Sequence, residues 1–293
     1  MSAYGLARES VLFPIAVEHL GPVPVETPER RITVMIPAKN EEGNIAWVLR
    51  HMPASVDEVI LVDGQSSDRT VEIAQAVRPD IVVLSEPPRG KGAAMRAGFA
   101  AATGDYVVVM DADGSMDPAD VDAYVAALEG GADLVKGSRY MNGGGSTDLT
   151  VIRSLGNRFL LVVANVLYRQ RFSELCYGFL ALRTSRIPEL RLQATGFEIE
   201  AEIVCRSVRE GLRVAEIPSQ ESPRISGESN LHAVRDGLRI LRTVLRAALP
   251  LPTRKPATNP APTMHLLPTM DDLQTALPEP HLVAVPVSAD SAG

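Results

Sequence analysis

The sequence predicts an α/β fold: a mostly parallel sheet with helices packed on both faces. Two observations carry that reading. Short apolar runs alternate with segments of helical periodicity from residue 32 to residue 136, the pattern of strand–helix–strand crossovers. The fullest run, Tyr106-Val107-Val108-Val109-Met110, has no polar position to turn towards water, as a strand buried on both sides requires.

Taken in order, Ile32-Thr33-Val34-Met35-Ile36 is a first strand, stopped by Pro37. Asn40-Glu41-Glu42 opens a helix with Ile45, Val48, Leu49 and Met52 at helical spacing. Residues 59–62 form a second strand ending in Asp63-Gly64, residues 66–70 a loop and cap, and residues 71–77 a helix. A third strand at 81–84 and a helix over 91–102 lead into the central run. Asp117-Pro118 is a cap with proline at the first helical position of a helix over 118–128. A strand at 134–136 closes this half. Residues 155–168 read as a largely buried helix, and Gly196-Phe197 begins another. Residues 1–29, with Pro14, Pro22, Pro24 and Pro28, read as an arm, leaving one domain over 30–249. Residues 250–293 hold nine prolines among 44 residues and are expected to be a disordered tail, because such a composition cannot bury a core.

The net charge of −7 argues against nucleic acid as a partner, but it is unevenly spread. Residues 30–150 carry 18 acidic and 11 basic side chains; residues 151–249 carry 10 acidic and 15 basic, every base an arginine. An arginine-rich half beside a carboxylate-bearing half suits a phosphorylated substrate. Two cysteines, Cys176 and Cys205, without metal-type spacing suggest a reducing compartment and no zinc site. No leader and no long apolar run is visible, so the expectation is a cytoplasmic chain, at most peripheral at the inner membrane face.

The central run ends in Asp111-Ala112-Asp113. On extended backbone, positions i and i+2 project to one side, so both carboxylates can face one ligand, and Mg²⁺ or Mn²⁺ favours such oxygens together with substrate phosphates. A plain strand-end turn is the other reading of those residues. Lys39, Asn40 and Glu41 follow the first strand and Asp63 the second, on the edge where open parallel sheets bind ligands. No G-x-G-x-x-G follows the first strand. Arg89-Gly90-Lys91-Gly92 lacks the full phosphate-loop pattern and is either a ligand contact or a glycine-eased helix start.

The blocks at 36–42, 62–70, 89–92 and 110–113, followed by Lys136-Gly137-Ser138-Arg139-Tyr140, 148–153 and Arg224-Ile225-Ser226-Gly227-Glu228-Ser229-Asn230-Leu231, resemble family-2 glycosyltransferases of the Rossmann-like GT-A fold. Within that family the chain is most similar to dolichol- and polyprenyl-phosphate sugar synthases, in colinear order over 31–245. The resemblance implies a metal-dependent, inverting transfer of a hexose from a GDP- or UDP-sugar to an acceptor, favouring a polyprenyl or dolichyl phosphate. It implies a nucleotide-sugar-binding half at 30–140 and an acceptor-side half at 141–249. Pro37, Lys39, Glu41, Asp63, Lys91, Asp111 and Ala112 would then bind the donor, with Asp111 and Asp113 serving its diphosphate and metal. Asp113 would be the direct ligand and Ser115 a polar metal neighbour; Arg139, Arg153 and Arg224 would contact phosphates of donor or acceptor. Glu202, one of three carboxylates at 198, 200 and 202, is the candidate base for a hydroxyl acceptor, and Glu198 reads as a first-turn acid. Cys176 is given no chemistry.

Three departures bear on the transfer. Asp63-Gly64 replaces the family's double aspartate, Asn230 stands where its Gly-Glu-Ser-Lys block has lysine, and no Q-x-x-R-W block marks a processive synthase. Gly143-Gly144-Gly145-Ser146 is either a closing loop or a plain connector. A soluble hydroxyl acceptor is the alternative within the class, and a sugar-phosphate nucleotidyltransferase the alternative outside it. Over 232–249, Arg235, Arg239, Arg242 and Arg246 recur on one helical face beside Leu238, Leu241, Val244 and Leu245. That helix either lies in an anionic membrane surface or packs on the domain with its arginines in water.

Overall fold

The computed structural model describes residues 30–87, 89–147, 151–227 and 232–249. The expected arm, the expected tail and Glu228-Ser229-Asn230-Leu231 lie outside the described residues. One seven-stranded sheet organises the chain. Its strands are β1 (Ile32–Ala38), β2 (Glu58–Asp63), β3 (Val82–Ser85), β4 (Tyr106–Val109), β5 (Leu134–Ser138), β7 (Leu180–Arg183) and β8 (Val214–Pro218). Their order is β3-β2-β1-β4-β7-β5-β8, and all run in one direction except β7, which is antiparallel to β4 and β5. Short strands β6 (Gly145–Ser146) and β9 (Gln220–Glu221) pair separately. The glycine-rich stretch at 143–146 is therefore tied to the second half rather than free.

Pro37 does not end the first strand, which continues to Ala38. Pairing with β4 stops at Met35, so beyond that point β1 is open on one side and the missing proline N–H removes no ladder bond there.

Strand alternation divides the core. Val34, Ile36 and Val108 face one side, covered by α1 (Ile45–Arg50), α2 (Thr70–Val77) and α4 (Val121–Glu129). Met35, Val107 and Val109 face the other, covered by α3 (Lys91–Ala101), α5 (Val151–Tyr168), the short α6 (Ile187–Leu190), α7 (Ile199–Arg209) and α8 (Ala233–Ala248). Asp117 caps as expected: its carboxylate accepts from Ala119 N–H at 3.0 Å, with Pro118 beginning a 3-10 turn ahead of α4.

One expectation fails on this second face. The helix at 155–168 is not largely buried: only Leu160 and Ala164 are enclosed, whereas Leu155, Phe159, Val162 and Val166 stand in water. A helix apolar all round reads as buried from its composition alone, but α5 lies in the outer layer and covers the core with one stripe.

Candidate active site

The carboxyl ends of β1, β2, β4 and β5 and the start of β7 open into a cavity of about 930 Å³. The first wall is built by two interlocked loops. Asn40 N–H donates to Ser66 Oγ at 2.9 Å, Glu41 N–H to Thr70 Oγ1 at 2.8 Å and Glu42 N–H to Asp68 at 3.1 Å. In return Ser67 N–H donates to Asn40 Oδ1 and Arg69 N–H to Glu42. The Ser-Ser-Asp-Arg-Thr loop thus fixes the backbone that presents Lys39 and Glu41 to the cavity.

The second wall is the turn after β4. Ser115 N–H donates to Asp113 Oδ1 at 3.0 Å, and Gly114 adopts φ +75° with Ile225 packed where a side chain would stand. Ile225 N–H reaches Asp113 O at 3.1 Å and Ser222 N–H reaches Ser115 O at 2.9 Å, which pins the Arg224 loop to this turn. Arg224 Nη2 lies 3.1 Å from Glu41 Oε1 and 3.8 Å from Asp113 Oδ2.

Deeper in the cavity, Lys91 Nζ sits 2.6 Å from Asp111 Oδ1 and 2.8 Å from Glu200 Oε1. All three converge over Gly178, where an added Cβ would meet Lys91 Nζ at 2.8 Å, Asp111 Oδ2 at 2.9 Å and Glu200 Oε1 at 3.2 Å. Glycine is what leaves space for the cluster. Burial disfavours the Lys91 ammonium, but Asp111 and Glu200 outweigh it and hold its pKa above the ordinary lysine value. Burial also raises Asp111, with Asp113 and Glu200 adding to it and Lys91 only partly opposing. Glu41 is raised by burial, against the pull of Asn44 and Arg224. Glu200 is the exception: burial works against its ionised form, yet Lys91 and Lys136 bring it below the ordinary glutamate value.

Of the sequence-derived residues, Pro37, Lys39, Glu41, Lys91, Asp111, Ala112, Asp113, Ser115, Arg139 and Arg224 line this one cavity. Asp63 stands behind the wall, its carboxylate accepting from Ser66 N–H at 3.2 Å, and Gly64 is the lining residue. The Arg153 side chain lies outside the described residues. Arg139 lines the wall with all three nitrogens engaged: Nε donates to Glu174 at 2.9 Å, Nη1 to Glu221 at 3.0 Å and Nη2 to Cys176 O at 3.1 Å. These pairs make it a brace between β5, the β7 approach and β9 at the cavity wall. Cys176 also lines the cavity, and burial pushes its thiol pKa up, as an unreactive cysteine requires.

Glu202 stands away from the cavity. It is absent from the cavity wall; its Oε2 accepts from Gln193 N–H and Ala194 N–H at 2.9 and 2.7 Å, and its Oε1 pairs with Arg206 at 2.8 Å. Glu198 similarly accepts from Thr195 and Gly196 N–H. These two share one helix face and close the loop before α7, whereas Glu200 points across to Lys91. The signal for Glu200 was Lys136, an ammonium buried in mid-strand that donates to Tyr177 O at 2.9 Å and counts Glu200 among its neighbouring anions.

The donor set suits a hard cation held jointly with a ligand. Among the described residues no group of three or more metal-ligating side chains comes together. The Asp113 and Asp111 carboxylates would form the protein side of such a site, with the remaining positions left to phosphate and water, as Mg²⁺ and Mn²⁺ prefer.

Residues 33–184 match the glycosyl transferase family 2 domain. A dolichol-phosphate mannosyltransferase of Pyrococcus furiosus is 30% identical over 210 residues, 69% of this chain and 59% of that protein, so the match spans under two thirds of its length. A glycosyltransferase of Mycobacterium tuberculosis is 33% identical over 203 residues, 68% of this chain and 89% of that protein. Among solved structures, glucosyl-3-phosphoglycerate synthase from Mycobacterium tuberculosis, in complex with Mn²⁺, UDP and glucosyl-3-phosphoglycerate, is similar with a TM-score of 0.61 at 27% identity. That match covers 75% of this chain and 80% of the synthase.

Proposed function

Because the chain belongs to glycosyl transferase family 2, we propose that it transfers a hexose from a GDP- or UDP-sugar to a polyprenyl phosphate. The observation that carries the choice of acceptor is the mixed lining of the cavity. The strand ends contribute Glu41, Lys91, Asp111, Asp113 and Arg224; α5, α8 and the segment before α7 contribute Leu160, Val234, Ile240 and Phe197, with Asn157 and Asp236 among them. The charged strand ends suit a diphosphate, and the apolar side chains on the helices suit a prenyl chain. The similarity to a dolichol-phosphate mannosyltransferase supports the same reading.

In this transfer an acceptor phosphate oxygen bonds to the anomeric carbon as the bond from that carbon to the donor diphosphate breaks, and the electron pair leaves with the nucleoside diphosphate. Attack opposite the leaving group inverts the anomeric centre. The acceptor is already anionic and needs no base, which agrees with the withdrawal of Glu202 into the Arg206 pair. Arg224, with Nε donating to Ser226 O and Nη2 to Glu41, would turn the rest of its guanidinium to the developing diphosphate charge. Lys91 holds Asp111 in place from the protein side. Asp113, with Ser115 beside it and Asp111 behind, would hold Mg²⁺ or Mn²⁺, whose charge offsets that of the leaving group. Lys39 and Glu41 bind the nucleoside end on the β1 wall, Asp63 supporting them from behind.

A soluble phosphorylated hydroxyl compound is the second reading, favoured by the likeness to glucosyl-3-phosphoglycerate synthase. Incubation with a panel of UDP- and GDP-sugars, Mn²⁺ or Mg²⁺, and either a prenyl phosphate or 3-phosphoglycerate separates the two. Metal-dependent formation of a prenyl-phosphate sugar is the expected result; transfer to 3-phosphoglycerate alone would replace the lipid reading. Release of pyrophosphate instead of a nucleoside diphosphate would move the protein to the nucleotidyltransferases.

A further inference from the structure

Four large apolar side chains of α5, Leu155, Phe159, Val162 and Val166, are 55–75% exposed. Their spacings of four, three and four place them in one row along the helix, opposite the buried Leu160 and Ala164. On α8 a second row, Val234, Leu238, Leu245 and Leu249, is 49–74% exposed, opposite the buried Ile240, Val244 and Ala247. Isolated apolar residues on a surface are ordinary; two rows on adjoining helices are not. The helices are joined side by side, with Tyr168 Oη donating to Val244 O at 2.8 Å. Both also border the cavity, α5 through Gly156, Asn157 and Leu160, and α8 through Val234, Gly237 and Ile240.

We infer that the outer faces of α5 and α8 together dock on an anionic lipid bilayer, beside the cavity mouth. The charge decides the occupant. Exposed arginines flank both rows: Arg158 on α5, and Arg235, Arg239, Arg242 and Arg246 on α8. The α5 sequence contains no carboxylate, and the α8 sequence contains only Asp236, which is buried. On a chain of net charge −7 this is a locally cationic face. Two copies meeting through it would oppose arginine to arginine, whereas an anionic headgroup layer complements the arginines and takes the apolar rows below it. No described helix is long and apolar enough to cross a membrane, so the helices lie on the surface. The contact is thereby wider than a basic stripe on residues 232–249, because α5 supplies the more regular apolar row. That a membrane-held acceptor enters the cavity from this side rests on the lipid-phosphate reading; the docking itself does not.

Flotation of the full chain with vesicles of phosphatidylcholine mixed with phosphatidylglycerol tests this, beside vesicles of phosphatidylcholine alone. The parent should float with the anionic vesicles at low salt and release at high salt. Phe159→Ser combined with Val162→Ser should lower partitioning about tenfold or more, and the quadruple Arg→Gln variant at 235, 239, 242 and 246 should abolish its salt dependence. These side chains stand outside the cavity wall, so both variants should keep the parent rate with a short, water-soluble prenyl phosphate. Failure of the parent to float, or equal flotation of parent and both variants, overturns the docking surface while leaving the acceptor reading intact. Conversion of a parent dimer to a monomer by Phe159→Ser and Val162→Ser, without vesicle binding, overturns it in favour of a second copy. Intact flotation without transfer to any prenyl phosphate removes the acceptor reading and leaves the docking surface standing.

Discussion

Asp133, at the amino end of β5, and Asp111, just past the carboxyl end of β4, are both carboxylates set beside cations, and the fold treats them in opposite ways. Asp133 Oδ2 accepts from Arg213 N–H at 2.9 Å, with the guanidinium groups of Arg186, Arg213 and Arg183 at 3.5, 3.7 and 3.8 Å. Burial opposes its ionised form, but that N–H and the arginine charges outweigh it and hold its pKa below the ordinary aspartate value. Asp111 has Lys91 at 2.6 Å and is still raised, because burial, Asp113 and Glu200 together exceed what one ammonium supplies. Glu41, on the same edge, is raised as well. At the amino edge of the sheet the protein satisfies its own anions. At the carboxyl edge Asp111 and Glu41 stay raised beside their cations, an imbalance that a divalent cation arriving with a donor would relieve.

Substitutions at the two edges should therefore divide cleanly into losses of rate and losses of stability. Asp113→Asn carries the largest effect. An amide is a neutral and weaker ligand, so sugar transfer should fall on the order of 100-fold or more while the melting temperature stays near that of the parent. Steady-state kinetics across a Mn²⁺ series measures this, and a normal rate at every metal concentration would show the turn to be structural.

Arg224→Ala should lower transfer about tenfold to 100-fold, again with little change in melting temperature. Arg224→Lys should recover only part of the loss, since a point charge does not reproduce the two-pronged guanidinium contact. Full activity in the lysine variant would remove the bidentate assignment.

At the opposite edge, Asp133→Asn should leave the rate unchanged and cost about 1.5–3 kcal/mol of stability, as expected for a hydrogen bond to a charged group. The pH dependence sharpens this contrast. Asp133 has a folded pKa below its unfolded value of about 3.9, so its contribution is complete above that value and is lost as pH falls through the folded one. The stability difference between parent and Asp133→Asn in urea titrations should therefore shrink below about pH 4. A difference that grew on acidification would reverse the assigned sign.

Much of the carboxyl edge was legible in the sequence because the relevant residues follow strands directly. Asp111 and Asp113 end an unmistakable buried run, and Lys39-Asn40-Glu41 follow the first strand. What escaped depends on pairing across long separations. β7 is a four-residue antiparallel strand inserted between β4 and β5, and its register with β4 cannot be read from its own short apolar run. Arg139 looked available for phosphate because Glu174 and Glu221 are 35 and 82 residues away in sequence. The resemblance favours Glu202 and does not disclose that the first turn of α7 points Glu200, not Glu202, across to Lys91. The exposed face of α5 escaped for a related reason: composition reveals that a helix is apolar, and only its neighbours reveal which side they cover.

The claim that the two edges differ in what they await is tested most directly by thermal shift with UDP and GDP, each with and without Mn²⁺, on the parent, Asp133→Asn and Asp113→Asn. At least one nucleotide together with Mn²⁺ should raise the melting temperature of the parent and of Asp133→Asn by similar amounts, and should leave Asp113→Asn unmoved. Equal stabilisation of Asp113→Asn, or a shift in the parent indifferent to Mn²⁺, would contradict the assignment of the carboxyl edge as the metal and donor site.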